Sequence, residues 1–212
     1  RNMFILILFF VTSSGNIISG QRISGVRSFE ESGTRWPGNI VKYTFDIDYK
    51  NTSAHDMIRA AMDDIESQTC VKFMETNRDS KQTTLLINGE SQCSASGGYV
   101  NYPVNYWAAI LSVNVTTCLE FGVIVHELMH VLGSLHEQSR PDRKEFIQIQ
   151  WNNILYWGRN QFYRYNKYGG KCTDCPNQTN QNLTSTEINT LNSCCDDNKY
   201  ASIFGGYDYG SI

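Results

Sequence analysis

The chain has 212 residues, 41% hydrophobic and 18% charged, which suits one well-packed domain or two small lobes and excludes a disordered chain. Its net charge of −3 gives no electrostatic reason to expect nucleic acid or an anionic membrane as a partner. Seven cysteines in this length favour disulfides once the compartment is oxidising, and the odd number leaves one without an internal partner.

Residues 3–11, MFILILFFV, form an unbroken apolar run behind Arg1 and ahead of small polar residues. That order predicts a secretory signal peptide over residues 1–20 and a secreted, extracellular product. The run is well short of the roughly 20 apolar residues that span a bilayer, and no other segment is a transmembrane candidate. A buried N-terminal strand is the competing reading. Residues 21–35 carry no periodic apolar pattern and read as a short leader or pro-segment. N-x-S/T sequons at Asn51, Asn114, Asn177 and Asn182 are glycosylation candidates if the chain enters the secretory route.

A folded pattern starts at the turn signal Trp36-Pro37-Gly38. Val41, Tyr43, Phe45 and Ile47 alternate as in a strand. Ser53 is placed to cap a helix running to about Thr69, with Met57, Ile58, Ala61, Met62 and Ile65 on its apolar face. His55 falls on the polar side of that helix and reads as a solvated surface residue. Strands are expected near 71–74 and 84–87, and a short one at 99–102 after the Gly- and Ser-rich stretch 94–98. Residues 119–132 then form a helix that is apolar nearly all round, a composition that predicts burial through the middle of the domain. Only His126, Glu127 and His130 interrupt it.

Those residues open HELMHVLGSLH, positions 126–136. Four positions on a helix bring His126 and His130 about 6 Å apart along the axis on one face, where both imidazoles can reach one Zn²⁺. Glu127 sits beside the first ligand but off the metal axis, placed to take a proton from water without ligating the metal itself. Gly133 can adopt the left-handed backbone that ends the helix and turns the chain, bringing His136 back as a third ligand. The competing reading for a single buried histidine is a core residue satisfied by hydrogen bonds. Three of the four histidines within this stretch, on an otherwise apolar helix, would be costly to bury without a metal. The ligand set points to hydrolysis of an internal peptide bond with Glu127 as general base.

The segment HELMHVLGSLHEQSRPDR closely resembles the zinc signature of the astacin family, and RWPGNIVKYTF, AMDDIESQTCVKF, WNNI, NQFYRYN and YDYGSI extend the resemblance. It implies an α+β, metzincin-like catalytic domain over residues 36–212. Its N-terminal lobe would hold a twisted mixed sheet and two long helices, the second bearing the zinc ligands, beside an irregular C-terminal lobe. It also implies a secreted endopeptidase with one Zn²⁺ per domain, acting on protein or peptide substrates. Glu137 takes the position whose carboxylate, in mature family members, anchors the N-terminus created by activation. Cys93 and Cys118 resemble the pair that ties the edge-strand region to the segment before the zinc helix. Cys70 matches a cysteine whose partner lies near the family domain's C-terminus. The family's substrate-binding edge strand corresponds to about 94–99, which makes Ser96, Gly97, Gly98 and Tyr99 substrate-binding candidates, although the stretch also reads as a plain loop.

The sequence departs from the family in three places. It stops at YDYGSI, before the methionine turn and its Tyr ligand, so it is expected to be a piece of a longer product with an incomplete C-terminal lobe; domains downstream of the protease are common in the family. Phe29-Glu30-Glu31 does not match the pro-segment motif FxGD that supplies the family's Asp switch. Residues 169–200 read as a Cys-rich insertion whose Cys172, Cys175, Cys194 and Cys195 form two disulfides or a zinc knuckle, secretion favouring the disulfides. The alternative function is a catalytically silent, secreted astacin-like binding protein, against which the intact His–Glu–His–Gly–His set speaks. Another member of the metzincin clan is a third reading.

Overall fold

A computed structural model describes residues 35–46, 49, 53–76, 83–90, 92–100, 106–164, 175 and 179–194. The expected signal segment, the leader up to residue 34, Ile47, Asn51, Asn177, Cys172, Cys195 and the YDYGSI block lie outside them.

Five strands form one mixed sheet: β1 (Ile40–Phe45), β2 (Lys72–Glu75), β3 (Thr84–Asn88), β4 (Ser94–Ala95) and β5 (Ala109–Ser112). Their order is β2-β1-β3-β5-β4, and β4 at the edge is the antiparallel member. Strand β3 is buried along its whole length, as expected of a parallel strand with neighbours on both sides. Val41, Tyr43 and Phe45 of β1, Leu85 and Ile87 of β3, and Ala109 and Leu111 of β5 alternate onto the face that meets the helices. There they join Ile58, Ala61, Met62 and Ile65 of α1 (Ser53–Gln68) and Ile124, Leu128 and Val131 of α2 (Phe121–Val131) in one core. The result is the α+β arrangement expected from the sequence, with two long helices on a mixed sheet.

Some expectations need correction. His55 is half-buried, its ring 4.5 Å from that of Phe45, because the start of α1 lies over the end of β1. The α2 helix is not buried all round, since Phe121 is 45% exposed at its start and the burial concentrates on Ile124, Glu127, Leu128 and Val131. Tyr99 and Val100 are not strand; the short strand of this region is Ser94–Ala95. β5 was not foreseen.

A second core gathers Ile149, Trp151, Leu183 and Leu191, with Phe162, Tyr163 and Ile188 packed against it. Leu191 belongs to a third helix, α3 (Ser185–Ser193), inside the segment read as an insertion. The described residues of that segment, Leu183, Ile188 and Leu191, thus pack in this core. Its helix opens with a capping box in which Thr184 and Glu187 satisfy each other's backbone N–H groups. The Cys175–Cys194 disulfide fastens it and removes those two thiols from any zinc knuckle. The fully buried Arg159 donates to the carbonyl oxygens of Asn180 and Gln181, both at 2.6 Å, and to Trp151 O at 3.4 Å.

Candidate metal centre

The last turns of α2 and the loop after it bring His126, His130 and His136 together. Their Nε2 atoms converge, with His130 Nε2 3.0 Å from that of His126 and 3.2 Å from that of His136. The rings of His126 and His136 are near-parallel at 26°, and the His130 ring stands at 85° and 87° to them. The turn has the expected cause. Gly133 adopts φ +96°, and the chain reverses so that the carbonyl of Ser134 accepts a hydrogen bond from His130 Nδ1 at 2.7 Å. A carbonyl only accepts, so the proton of neutral His130 resides on Nδ1 and its Nε2 offers a lone pair to the other two imidazoles. Burial, and then repulsion from His130 whenever that ring is protonated, lower the His126 pKa and favour its neutral form.

These residues fit a zinc ion. Around a tetrahedral site with Zn–N bonds of about 2.0–2.1 Å, nitrogen donors lie about 3.3 Å apart, close to the spacing seen. With His126 and His136 in the same Nδ1–H tautomer as His130, all three Nε2 lone pairs face one point, the donor set that a shared cation takes. Among the described residues this is the one group of three or more His, Cys, Asp or Glu able to hold a metal.

Glu127, next in sequence to His126, is 8% exposed, and its burial raises the carboxyl above the ordinary value, an effect that a protonated His130 opposes. Glu137, immediately after the third histidine, is buried and paired with Arg140 at 2.6 Å, and Arg140 also grips Asp142 at 2.7 Å. Ser139 Oγ donates to Gln161 O at 3.1 Å. Arg143 Nη1 donates to Gln138 O at 2.6 Å and also to Phe162 O, so the segment leaving the metal turn is docked onto residues 161 and 162. These buried arginines were not expected from the sequence, because nothing local distinguishes them from surface ones.

The substrate-binding candidates lie next to the metal helix. Ser96 N–H donates to Ile110 O and Gly98 N–H to His130 O, both at 2.9 Å. Both face inward, leaving exposed Gly97 between them as the outward position of the stretch. The ring of Tyr99 packs on that of Trp36, with centroids 5.1 Å apart. Cys93 and Cys118 are bonded, joining the approach to β4 to the segment before α2. Cys70 is exposed and, among the described residues, a free thiol.

The chain is similar to known proteins. The family model described as Astacin, a peptidase family, matches residues 28–181. Zinc metalloproteinase nas-4 of Caenorhabditis elegans is 33% identical over 144 residues, covering 67% of this chain and 43% of that protein. Blastula protease 10 of Paracentrotus lividus is 32% identical over 132 residues, covering 62% of this chain and 22% of that protein. The chain thus spans less than half the length of these relatives. Among solved structures, high choriolytic enzyme 1, a hatching enzyme zinc-protease from Oryzias latipes, superposes with a TM-score of 0.51 at 22% identity. It covers 79% of this chain and 94% of its own, a likeness of fold. With the family model matched across both the sheet-and-helix core and the three-histidine turn, this chain belongs to the astacin family.

Proposed function

We propose that the protein is a secreted zinc endopeptidase in which His126, His130 and His136 hold one Zn²⁺ and Glu127 is the general base. The observation that carries this reading is the convergence of three imidazole Nε2 atoms beside a buried carboxylate. A bound Zn²⁺ supplies Lewis acidity there, polarising a scissile carbonyl and making water acidic enough to ionise near neutral pH. Glu127 accepts the proton of the attacking water and delivers it to the leaving amine, work for which a carboxyl raised by burial is better matched than an exposed one. Ser134 keeps His130 in the ligating tautomer through its carbonyl. An extended peptide substrate adds to the sheet edge at β4, with the 96–99 stretch beside its backbone.

Secretion is supported by the N-terminal apolar run and by the disulfides Cys93–Cys118 and Cys175–Cys194. Residues 1–20 are then the signal peptide, 21–35 the leader and 36–212 the catalytic domain. Of the sequons, Asn182 is exposed and Asn114 half-buried, and Asn182 is the better placed to carry a glycan. In the described residues no helix is long and apolar enough to cross a membrane.

The test is cleavage of a denatured protein by the full-length product. Cleavage should stop with a chelator, return with zinc and disappear in Glu127→Ala. Chelator-resistant cleavage, or a purified protein that takes up no zinc, would overturn the proposal.

A further inference from the structure

The last carbonyls of α2 are all engaged, and they divide by where their partners come from. Leu128 O receives Leu132 N–H at 3.0 Å and Met129 O receives Ser134 N–H at 2.9 Å, both local to the helix end. The next two are reached from elsewhere in the chain. His130 O receives Gly98 N–H at 2.9 Å, besides the local Gly133 N–H at 2.7 Å. Val131 O receives the indole N–H of Trp36 at 2.8 Å, across 95 positions of sequence. The two outside donors are themselves joined, because the Trp36 ring packs on Tyr99, the residue after Gly98. Val131 is fully buried and Trp36 is 5% exposed, so water is poorly placed to replace that indole.

Helix ends without partners for their last carbonyls fray or tighten. Here the end in question carries one metal ligand and leads directly to another. His130 has its own carbonyl held by Gly98, the next carbonyl held by Trp36, and its imidazole held by the Ser134 carbonyl just past the turn. A shift in this last turn would displace the His130 ring and the path to His136 together, while leaving His126, one turn earlier, in place.

We infer that Trp36 is a positioning residue of the metal centre: its indole N–H, by holding Val131 O, fixes the turn of α2 that aims His130 and leads to His136. The inference rests on the reading of the three histidines as a zinc site.

The experiment uses the full-length protein and zinc as the probe. Trp36→Phe keeps a buried aromatic ring and removes the donor. Zinc affinity is read by competition with a chromophoric chelator, well below the unfolding transition, beside Leu191→Ala as a variant destabilised in the second core. Trp36→Phe is expected to bind zinc about tenfold more weakly, the usual scale for losing an outer partner of a metal ligand, with Leu191→Ala unchanged. A second measurement needs no substitution. Linkage is reciprocal, so zinc should slow hydrogen exchange at the Trp36 indole more than at the Trp151 indole, which bonds Asn192 in the second core at 2.7 Å. This measurement decides alone if Trp36→Phe does not fold. Undiminished zinc affinity in Trp36→Phe, or equal slowing at the two indoles, would remove the role of Trp36 and leave the metal site standing. An unsubstituted protein that takes up no zinc would remove both.

Discussion

The Nδ1 atom of His130 lies 2.7 Å from the carbonyl oxygen of Ser134, four residues on, and that bond exists because Gly133 between them takes φ +96°. A side chain at that φ is strained by about 1–2 kcal/mol. Gly133→Ala should therefore lose roughly that much stability in denaturant unfolding. Its zinc affinity should fall by about tenfold or more, because relief of the strain swings the Ser134 carbonyl away from the imidazole. Weakened stability with zinc affinity unchanged would show that the turn does not orient the ligand.

Glu127 and His130 should separate chemistry from metal capture. Glu127→Gln is expected to keep one zinc per chain by metal analysis and to lose about 10²–10⁴-fold in peptide hydrolysis, the range for a general base. His130→Ala should lose the zinc itself. A Glu127→Gln protein that hydrolyses at the unsubstituted rate would place the base elsewhere.

Glu66 governs an acid-sensitive joint between α1 and β2. Burial raises its pKa, but the Phe73 backbone N–H at 2.8 Å, the Arg59 guanidinium at 2.8 Å and Lys72 at 3.4 Å outweigh that and hold it below the ordinary value. A carboxyl depressed in the folded state contributes stability that is fully present above its unfolded pKa of about 4.3 and is lost as pH falls through the folded value. Glu66→Gln should cost about 1–1.5 kcal/mol at pH 7 and nothing once the native carboxyl is protonated. Unfolding curves from pH 7 downward check this, and parallel curves for the two proteins would contradict it.

Arg159 is buried against three carbonyl oxygens, and lysine cannot reproduce its planar fork. Arg159→Lys should destabilise by about 1–2 kcal/mol, since a buried charge keeps fewer of its bonds and the buried Trp151 carbonyl loses a donor. Limited proteolysis should then cut first in the 179–194 region. Cleavage unchanged from the parent protein would argue against this role.

The parts legible in the sequence are the local ones. The three histidines, the glycine turn and both long helices are written in short stretches; the structure forms both helices within a residue or two of expectation and gathers the histidines at the turn. The Cys93–Cys118 bond came from resemblance and also holds. β5 lacks alternation, but the apolar run Trp107–Leu111 that leads through it is of strand length and was a readable signal. α3 did carry a readable signal, the capping box Thr184-x-x-Glu187, overshadowed by the surrounding cysteines. Trp36 was legible as part of a turn, but its indole bond to Val131 spans 95 positions and leaves no local trace. The buried Arg143, Arg159 and Arg164 are of the same kind, because their partners are mostly backbone carbonyls chosen by the fold.

The three histidines proposed as ligands sit so close in sequence that an unfolded chain carries the same chelating peptide. Zinc added to the protein will therefore bind both states, and its stabilisation of the fold measures only the excess affinity of the folded site. That excess must come from whatever the open peptide lacks, namely a helix end held from outside and an imidazole locked by a neighbouring carbonyl. Melting temperature against zinc concentration thus reports the quality of the scaffold more than the strength of the metal bonds.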